Sequence, residues 1–419
     1  MLERLSAFEQ WMAPGTFPWL SSLAGGLGFC GLGLGSVVLA ELVRDCYHVA
    51  GHYVPFLQKA HNLHHRAYRP DLSKVSLDLY RRAELLNDVP EAAFMVLVTA
   101  AIAWSTHLWV LGLGAIYSAA FLIASLARSR GWWLETDLTH APGALVAPPK
   151  PWLVNRAYHW RHHFEQPRAY YSSTFTLADQ IMGTSLSLKG KTIGITGASG
   201  ALGRALLSQV LARGARVVAF TTSPDADFGP TDGGSVTVVS WEVGDEDRVL
   251  AALPQIDILV LNHGINVYGA RDRDAIAASF EVNTFSPWRL LEAFLSTVQE
   301  SRDFATKEVW VNTSEAEVGP ALSPLYELSK RAIGDLVTLR RLDAPCVIRK
   351  LILGPFRSKL NPYGVLSPNF VAWAVVFLVQ RDFRDLIITI NPLTYLLFPL
   401  KEWSRSLYFR LFSHPHRQP

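Results

Sequence analysis

Two long stretches without a charged side chain, residues 10–40 and 92–127, constrain this 419-residue chain more than anything else in it. The first is long enough to cross about 30 Å of hydrocarbon as a helix. Its glycines (Gly25, Gly26, Gly28, Gly31, Gly33, Gly35) suit close helix packing in lipid better than a soluble helix. The second is too long for one span and short for two, and Trp104-Ser105-Thr106-His107 interrupt it, so it predicts a tight helical hairpin that enters and leaves on one side. Glu3, Arg4 and Glu9 precede the first stretch and no small-residue cleavage site follows inside it, so a signal peptide is not expected.

Lysine and arginine placement orients these spans. Lys59, Arg66, Arg69, Lys74, Arg81 and Arg82 follow the first, and Arg128, Arg130, Lys150, Arg156 and Arg161 follow the hairpin. Only Arg4 precedes the first span, and the hairpin tip carries none. The positive-inside rule then predicts an integral membrane protein with both basic segments, and everything after them, in the cytoplasm.

Ten of the 13 histidines lie between residues 48 and 163. Eight form three groups: His48-x3-His52, His61-x2-His64-His65 and His159-x2-His162-His163. On a helix these spacings put the imidazoles on one face. Imidazole is a common ligand for iron, zinc and copper, and eight of them imply two metal ions, since one tetrahedral ion takes four. His140, in the same segment, is expected as a ninth ligand or as a partner of one. His107 falls at the hairpin tip and reads as a polar turn residue. The bland alternative is a set of interfacial histidines with no metal.

The three histidine groups on a short helical membrane core resemble the fatty acid hydroxylase and sterol desaturase superfamily. The likeness continues through Tyr171-Ser172-Ser173-Thr174-Phe175-Thr176 to Asp179-Gln180-Ile181-Met182-Gly183-Thr184. That resemblance implies a non-haem di-iron centre, with two iron ions activating O2 to oxidise a C–H bond of a lipid. It also implies an external one-electron donor, ferredoxin or cytochrome-like, because no flavin or haem motif is visible in the chain.

From Lys189 the texture changes. β-branched runs (Thr192 to Thr196, Arg216 to Thr222, Ile256 to Asn262, Glu308 to Thr313) alternate with helical stretches, the rhythm of β-α-β units and a parallel sheet. Thr196-Gly197-Ala198-Ser199-Gly200-Ala201-Leu202-Gly203 joins a strand to a helix, the context in which glycines let backbone approach a pyrophosphate. Asn262-His263-Gly264 ends a later strand, Asn283 follows in the next helix, and Tyr326-x3-Lys330 follows Asn312-Thr313-Ser314. Tyr326 and Lys330 share a helix face, where an ammonium can help a phenol of pKa about 10 exchange protons near neutrality.

This constellation resembles the short-chain dehydrogenase/reductase family. The resemblance implies Tyr326 as the acid/base, Ser314 steadying the substrate oxygen, Lys330 supporting both, and Asn283 anchoring a proton relay. It implies that Gly197, Ser199, Gly200, Ala201, Leu202, Gly203, Thr221, Asn262, Gly264, Tyr326 and Lys330 bind the nicotinamide nucleotide. Two departures stand out. Glu315 occupies the place of a second serine, leaving Thr313 as a rival to Ser314, and His263 replaces the usual alanine, where it is expected to pack rather than to catalyse. At the end of the second strand Thr221 carries no charge. An acidic side chain there would repel a 2′-phosphate, so NADP(H) is favoured over NAD(H).

The expected organisation is therefore an α-helical membrane domain with a histidine-rich cytoplasmic face over residues 1–188. An α/β Rossmann-type, doubly wound parallel-sheet domain over 189–419 follows it, as in bacterial bifunctional sterol desaturase/short-chain dehydrogenase proteins. Its tail, Leu386 to Phe412, mixes leucines and aromatics with Lys401, Arg405 and Arg410, and reads as a membrane-lying helix or as an oligomer contact. A homo-oligomer through the reductase half remains open.

Mean hydropathy of +0.16 averages these two unlike halves. A net charge of +3 excludes a nucleic-acid surface, and the three cysteines exclude a disulfide framework. The leading function is O2-dependent hydroxylation or desaturation of a lipid joined to NADP(H)-dependent alcohol/carbonyl interconversion. The alternatives are an aldehyde-processing enzyme like plant wax-synthesis proteins, and a membrane-anchored reductase whose histidine half is only a scaffold.

Overall fold

The computed structural model describes residues 18–223, 225–228 and 235–414. The start of the first uncharged stretch, with Glu3, Arg4 and Glu9, lies outside them. The chain forms two compact units that interleave along the sequence. One holds residues up to Pro142 together with Tyr171–Ala178, and the other holds Gly143–Tyr170 and Asp179–Pro419. The change of texture near 189 marks where the sheet begins, but the segment carrying the third histidine group packs with the sheet.

The first unit is built on three long helices, α1 (Pro18–Tyr53), α3 (Leu77–Thr106) and α4 (Trp109–Ser129), with a shorter α2 (Pro55–Arg66) between the first two. The second uncharged stretch is the predicted hairpin: α3 and α4 are each long and apolar enough to cross a membrane. His107 closes α3 in the left-handed conformation (φ 55°), exposed at the tip. Small residues let α1 and α4 touch. A Cβ on Gly114 would stand 2.5 Å from the Ser36 carbonyl oxygen. In its absence the Gly114 N–H donates to Ser36 Oγ at 2.9 Å, and that hydroxyl donates to Gly33 O at 2.7 Å. The Ser36 hydroxyl thus links the two helices through the Gly114 N–H.

The second unit is a seven-stranded sheet in the order β3-β2-β1-β4-β5-β6-β7, every neighbouring pair parallel. Its strands are β1 (Thr192–Thr196), β2 (Arg216–Thr221), β3 (Val236–Ser240), β4 (Ile258–Leu261), β5 (Glu308–Asn312), β6 (Val347–Leu353) and β7 (Asp385–Ile388). Apolar residues run unbroken through β4 because both faces are covered. Ile258 and Val260 pack with Leu202, Leu206, Val371 and Val375 on one side, while Leu259 and Leu261 pack with Leu290, Phe294, Ile333 and Val337 on the other. The strand order reverses between β1 and β4, which opens the crevice used by nucleotides in such sheets.

The segment before the sheet is fastened to it by buried charge. Arg161 is 1% exposed; its Nη2 reaches Glu308 Oε1 at 3.2 Å and its Nε donates to Ala305 O. Glu308 is also held by Arg349, at 2.8 and 3.1 Å. Tyr158 Oη donates to Asp179 Oδ2 at 2.8 Å, and Tyr170 N–H donates to Thr184 O at 3.0 Å. The Asp179–Thr184 motif therefore braces the helix that carries His159.

Candidate functional site

Within the first unit the histidines sort into two sets. Side-chain nitrogens of His48, His52, His61 and His65 all lie within 4.8 Å of one another, and so do those of His64 and His140. The break at Val54-Pro55 turns α2 back onto α1, and Gly51 permits the approach: a Cβ there would meet the His61 ring at 3.1 Å. His61 Nε2 stands 2.8 Å from His52 Nε2 and 2.9 Å from His65 Nε2. Imidazole nitrogens about 2.1 Å from one ion and at right angles around it stand about 3 Å apart. The donor set fits a metal ion.

The other ring nitrogen of three of these residues is tied down. His61 Nδ1 lies 3.3 Å from Asn87 Oδ1, His64 Nδ1 3.3 Å from Asp88 Oδ2, and His140 Nδ1 2.7 Å from Asp137 Oδ1. Such partners fix ring orientation and raise ligand basicity. Burial, with the neighbouring His64 and His52 imidazoles, pushes His61 down to about 3, keeping it in the neutral form a metal needs. Burial opposes the charged form of His64 as well, yet the Asp88 carboxylate raises its pKa. Asp137 is buried, and the adjoining His140 holds its carboxyl well below the usual range. Tyr68 stacks on His140 with centroids 4.0 Å apart and donates to Asp137 Oδ2 at 3.0 Å.

The third group lies in the second unit. His159 sits in the helix Arg156–Trp160, capped by Asn155, whose side chain accepts from Tyr158 N–H. His162 and His163 lie in the π-helical turn Arg161–Glu165 that continues it. His163 Nε2 is 3.1 Å from His159 Nε2, and His162 Nδ1 is 2.8 Å from Ala169 O. Asn87, Asp88 and Asp137 were not singled out by sequence. Their only sequence signal is acidic or amide residues on the polar stretches beside the histidine groups.

The nucleotide crevice assembles at the ends of β1, β4 and β5. Gly197 has φ +63°, and a Cβ there would stand 3.1 Å from His263 Cα. A Cβ on Gly203 would meet Gly197 O at 2.3 Å, so the helix Ala201–Leu211 packs against the turn only because both are glycine. Gly200 precedes that helix as its N-cap and Ala201 and Leu202 open it, so its N–H groups face the turn. A nucleotide pyrophosphate fits this cradle.

Thr221 Oγ1 donates to Ser199 Oγ at 2.7 Å, and Arg204 Nε donates to Ser199 O at 3.0 Å. Arg204 thus meets the same residue as Thr221, and the sequence reading did not single it out. It lies in the helix rather than after the second strand.

Asn262 N–H donates to Thr196 Oγ1 at 2.9 Å, and Asn312 Nδ2 donates to Asn262 Oδ1 at 3.0 Å. Asn283 lies in a π-helical turn, Glu281–Phe285. Its Oδ1 accepts from Ile265 N–H at 2.9 Å, and its Nδ2 donates to Ile265 O at 3.0 Å and Ser329 Oγ at 3.1 Å. A Cβ on Gly264 would stand 3.0 Å from Asn283 Oδ1.

Tyr326 and Lys330 share one face of the helix Pro324–Arg340, with the Lys330 ammonium 5.9 Å from the Tyr326 ring centroid and donating to Asn312 O at 2.9 Å. Ser314 hydrogen-bonds Tyr326, whereas Thr313 Oγ1 turns to Leu351 O at 3.4 Å. Burial raises the Tyr326 phenol, against the Ser314 bond, and lowers Lys330 to about 8, against the pull of Glu317. His263 packs edge-on to Trp241, centroids 5.0 Å apart, with Nδ1 2.9 Å from Thr196 Oγ1; burial and Lys330 push it down to about 3.

Comparison with known proteins agrees with both halves. The fatty acid hydroxylase family model matches residues 34–184 and the short chain dehydrogenase family model residues 191–345. Over 407 residues the chain is 50% identical to the monoglucosyldiacylglycerol epimerase of a Synechocystis strain, covering 91% of this chain and 97% of that one. Among solved structures it is similar to a short chain dehydrogenase from Burkholderia cenocepacia in complex with NADP (20% identity, 55% of this chain and 100% of that one, TM-score 0.45). It is also similar to an alcohol dehydrogenase from the archaeon Thermococcus sibiricus complexed with 5-hydroxy-NADP (22% identity, 48% and 96% covered, TM-score 0.43). The chain belongs to the family of lipid-directed oxidoreductases, fused from a fatty acid hydroxylase domain and a short-chain dehydrogenase domain, that includes the Synechocystis epimerase.

Proposed function

We propose that the chain inverts a secondary carbinol on the sugar of a glucosyl diacylglycerol, using the dehydrogenase crevice for both halves of the reaction. The observation that carries this reading is a full Tyr326, Lys330, Ser314 and Asn283 constellation in a chain half identical to an epimerase named for such a lipid. Inversion at a carbinol breaks a C–H bond and re-forms it on the opposite face, with no net redox change. The anomeric carbon is held in the glycosidic bond and C5 bears the ring oxygen, so only the ring carbons with a free secondary hydroxyl qualify.

A nicotinamide nucleotide in the Gly197–Gly203 cradle, NADP(H) favoured by the uncharged Thr221, would supply hydride acceptance and return. Tyr326 takes the carbinol proton and gives it back, and Ser314 holds the oxygen from the Tyr326 side. Lys330 stabilises the phenolate. Asn283 fixes the Ile265 peptide and with it the floor of the crevice.

The histidines are proposed to hold two iron ions. The first unit supplies four imidazoles for one set but only His64 and His140 for the other. His159, His162 and His163 of the second unit are proposed as metal ligands as well. Iron bound there supplies activation of O2 at a lipid C–H bond. This donor set, with Asp88 and Asp137 behind it, favours a second reading: hydroxylation or desaturation of the lipid, fed by an external one-electron donor such as a ferredoxin or cytochrome, followed by alcohol/carbonyl interconversion. We infer that both sites face the cytoplasm, a reading that the Lys and Arg distribution supports.

One experiment separates the readings. Purified protein is given glucosyl diacylglycerol deuterated at the ring carbinols, with NADP+, under 18O2. An epimeric glycolipid retaining deuterium, formed equally under argon, is expected. Product carrying 18O and dependent on an electron donor overturns epimerisation and establishes the oxygenase.

A further inference from the structure

The C-terminal helix Pro392–Phe412 has two faces of opposite character. Its inner face is pinned to the sheet unit. Thr394 and Phe398 are buried. Lys401 Nζ reaches Glu317 Oε2 at 2.6 Å and Asp335 Oδ1 at 2.7 Å, and Glu402 Oε2 accepts from Lys350 Nζ at 2.7 Å while Glu402 Oε1 lies 3.2 Å from Arg341. These contacts fix the rotation of the helix about its own axis.

The outer face is apolar along its whole length. Leu393, Leu396, Leu400, Trp403, Leu407 and Leu411 recur three and four residues apart and are 44–68% exposed. Leu397, Tyr408 and Phe412 widen the stripe. A helix of this length runs about 30 Å, far more apolar surface than scattered exposed side chains present. Arg405 and Arg410 flank the stripe, whereas the only acidic residue of the helix, Glu402, is turned inward and paired. Arg405 Nε also lies 3.7 Å from Asp335 Oδ2 on a neighbouring helix, whereas Arg410 has no ion pair among the described residues.

We propose that this helix lies in the surface of an anionic membrane, its leucine stripe in the headgroup–acyl boundary and its two arginines among the phosphates. Its chemistry matches that of interfacial helices: an apolar face, basic flanks, and Trp and Tyr rings suited to the headgroup level. A second copy of the same face is the poorer partner. Antiparallel pairing would bring Arg405 and Arg410 of two copies together, and the helix itself turns no acidic residue outward to meet them. The proposal is independent of the reaction catalysed.

The test uses the full chain in vesicles, with Cys30→Ser and Cys46→Ser to remove the exposed thiols and Cys346 left in place because it is buried. Nitroxide labels are placed one at a time by Leu400→Cys, Leu407→Cys and Leu411→Cys, and by Arg271→Cys as an exposed control in the same unit. Retained nicotinamide binding verifies that each labelled protein is folded.

In vesicles of equal parts phosphatidylcholine and phosphatidylglycerol, the three stripe labels are expected to collide with oxygen in preference to an aqueous nickel chelate, and the control label the reverse. Arg405→Glu with Arg410→Glu should shift the stripe labels toward water. Stripe labels as nickel-accessible as the control overturn the proposal. So does spin–spin broadening between copies, which would assign the face to a second protomer.

Discussion

Arg161→Met is the most informative single perturbation, because Arg161 joins the third histidine group to the sheet. Its guanidinium makes a charge-assisted hydrogen bond to Glu308 at 3.2 Å and donates to the Ala305 carbonyl, both fully buried. Removing one partner of a buried pair usually leaves an uncompensated ion. Here Glu308 keeps two bonds from Arg349, so that penalty falls away. What remains is one charge-assisted bond, about 1.5–3 kcal/mol, and an orphaned carbonyl, about 1–3 kcal/mol, for a total of about 2.5–6 kcal/mol. That corresponds to roughly two to four orders of magnitude in a local opening equilibrium.

Hydrogen–deuterium exchange of the Glu308–Asn312 and Ala305–Lys307 amides in the purified full chain reads this directly. Arg161→Lys, which keeps the charge but reaches one acceptor, should recover about half. A change below about 1 kcal/mol in Arg161→Met would refute the claim that this pair anchors the segment.

Tyr326→Phe should lower hydride transfer by roughly 10²–10⁴ while leaving nicotinamide binding within about twofold, measured by single-turnover NADPH absorbance and by fluorescence titration. Lys330 titrates near 8 in the fold against 10.5 unfolded. Between those values the unfolded chain binds the extra proton, so stability should rise as pH increases from 8 to 10.5, by about 3 kcal/mol. Melting curves of the cofactor-free protein should show that rise, and Lys330→Met should flatten it. Asp137→Asn leaves the His140 ring without its carboxylate and should weaken metal binding about 10- to 100-fold, read by metal analysis after dialysis against a graded chelator series. Unchanged metal content there would remove His140 from the ligand set.

Much of this was legible in the chain because it rests on local periodicity. His48 and His52, or Tyr326 and Lys330, share a helix face whatever surrounds them, since i and i+4 always do. The glycine turn and the strand–helix rhythm are equally local, and they were enough to predict the parallel sheet, the nucleotide crevice and the apolar hairpin.

The tertiary structure decided what local spacing leaves open. Thr313 and Ser314 are consecutive at a strand end and so point to opposite sides. Only the packing of the helix Pro324–Arg340 puts Tyr326 on the Ser314 side. Asn87 with Asp88, His162 with His163, and Asn283 all ride on π-helical turns. Such a turn is a register shift stabilised by what packs against it, and it has no sequence period of its own. The Arg161–Glu308 pair spans 147 residues. Burial makes that pair strong, and burial is set by the whole fold, so no window of sequence contains it.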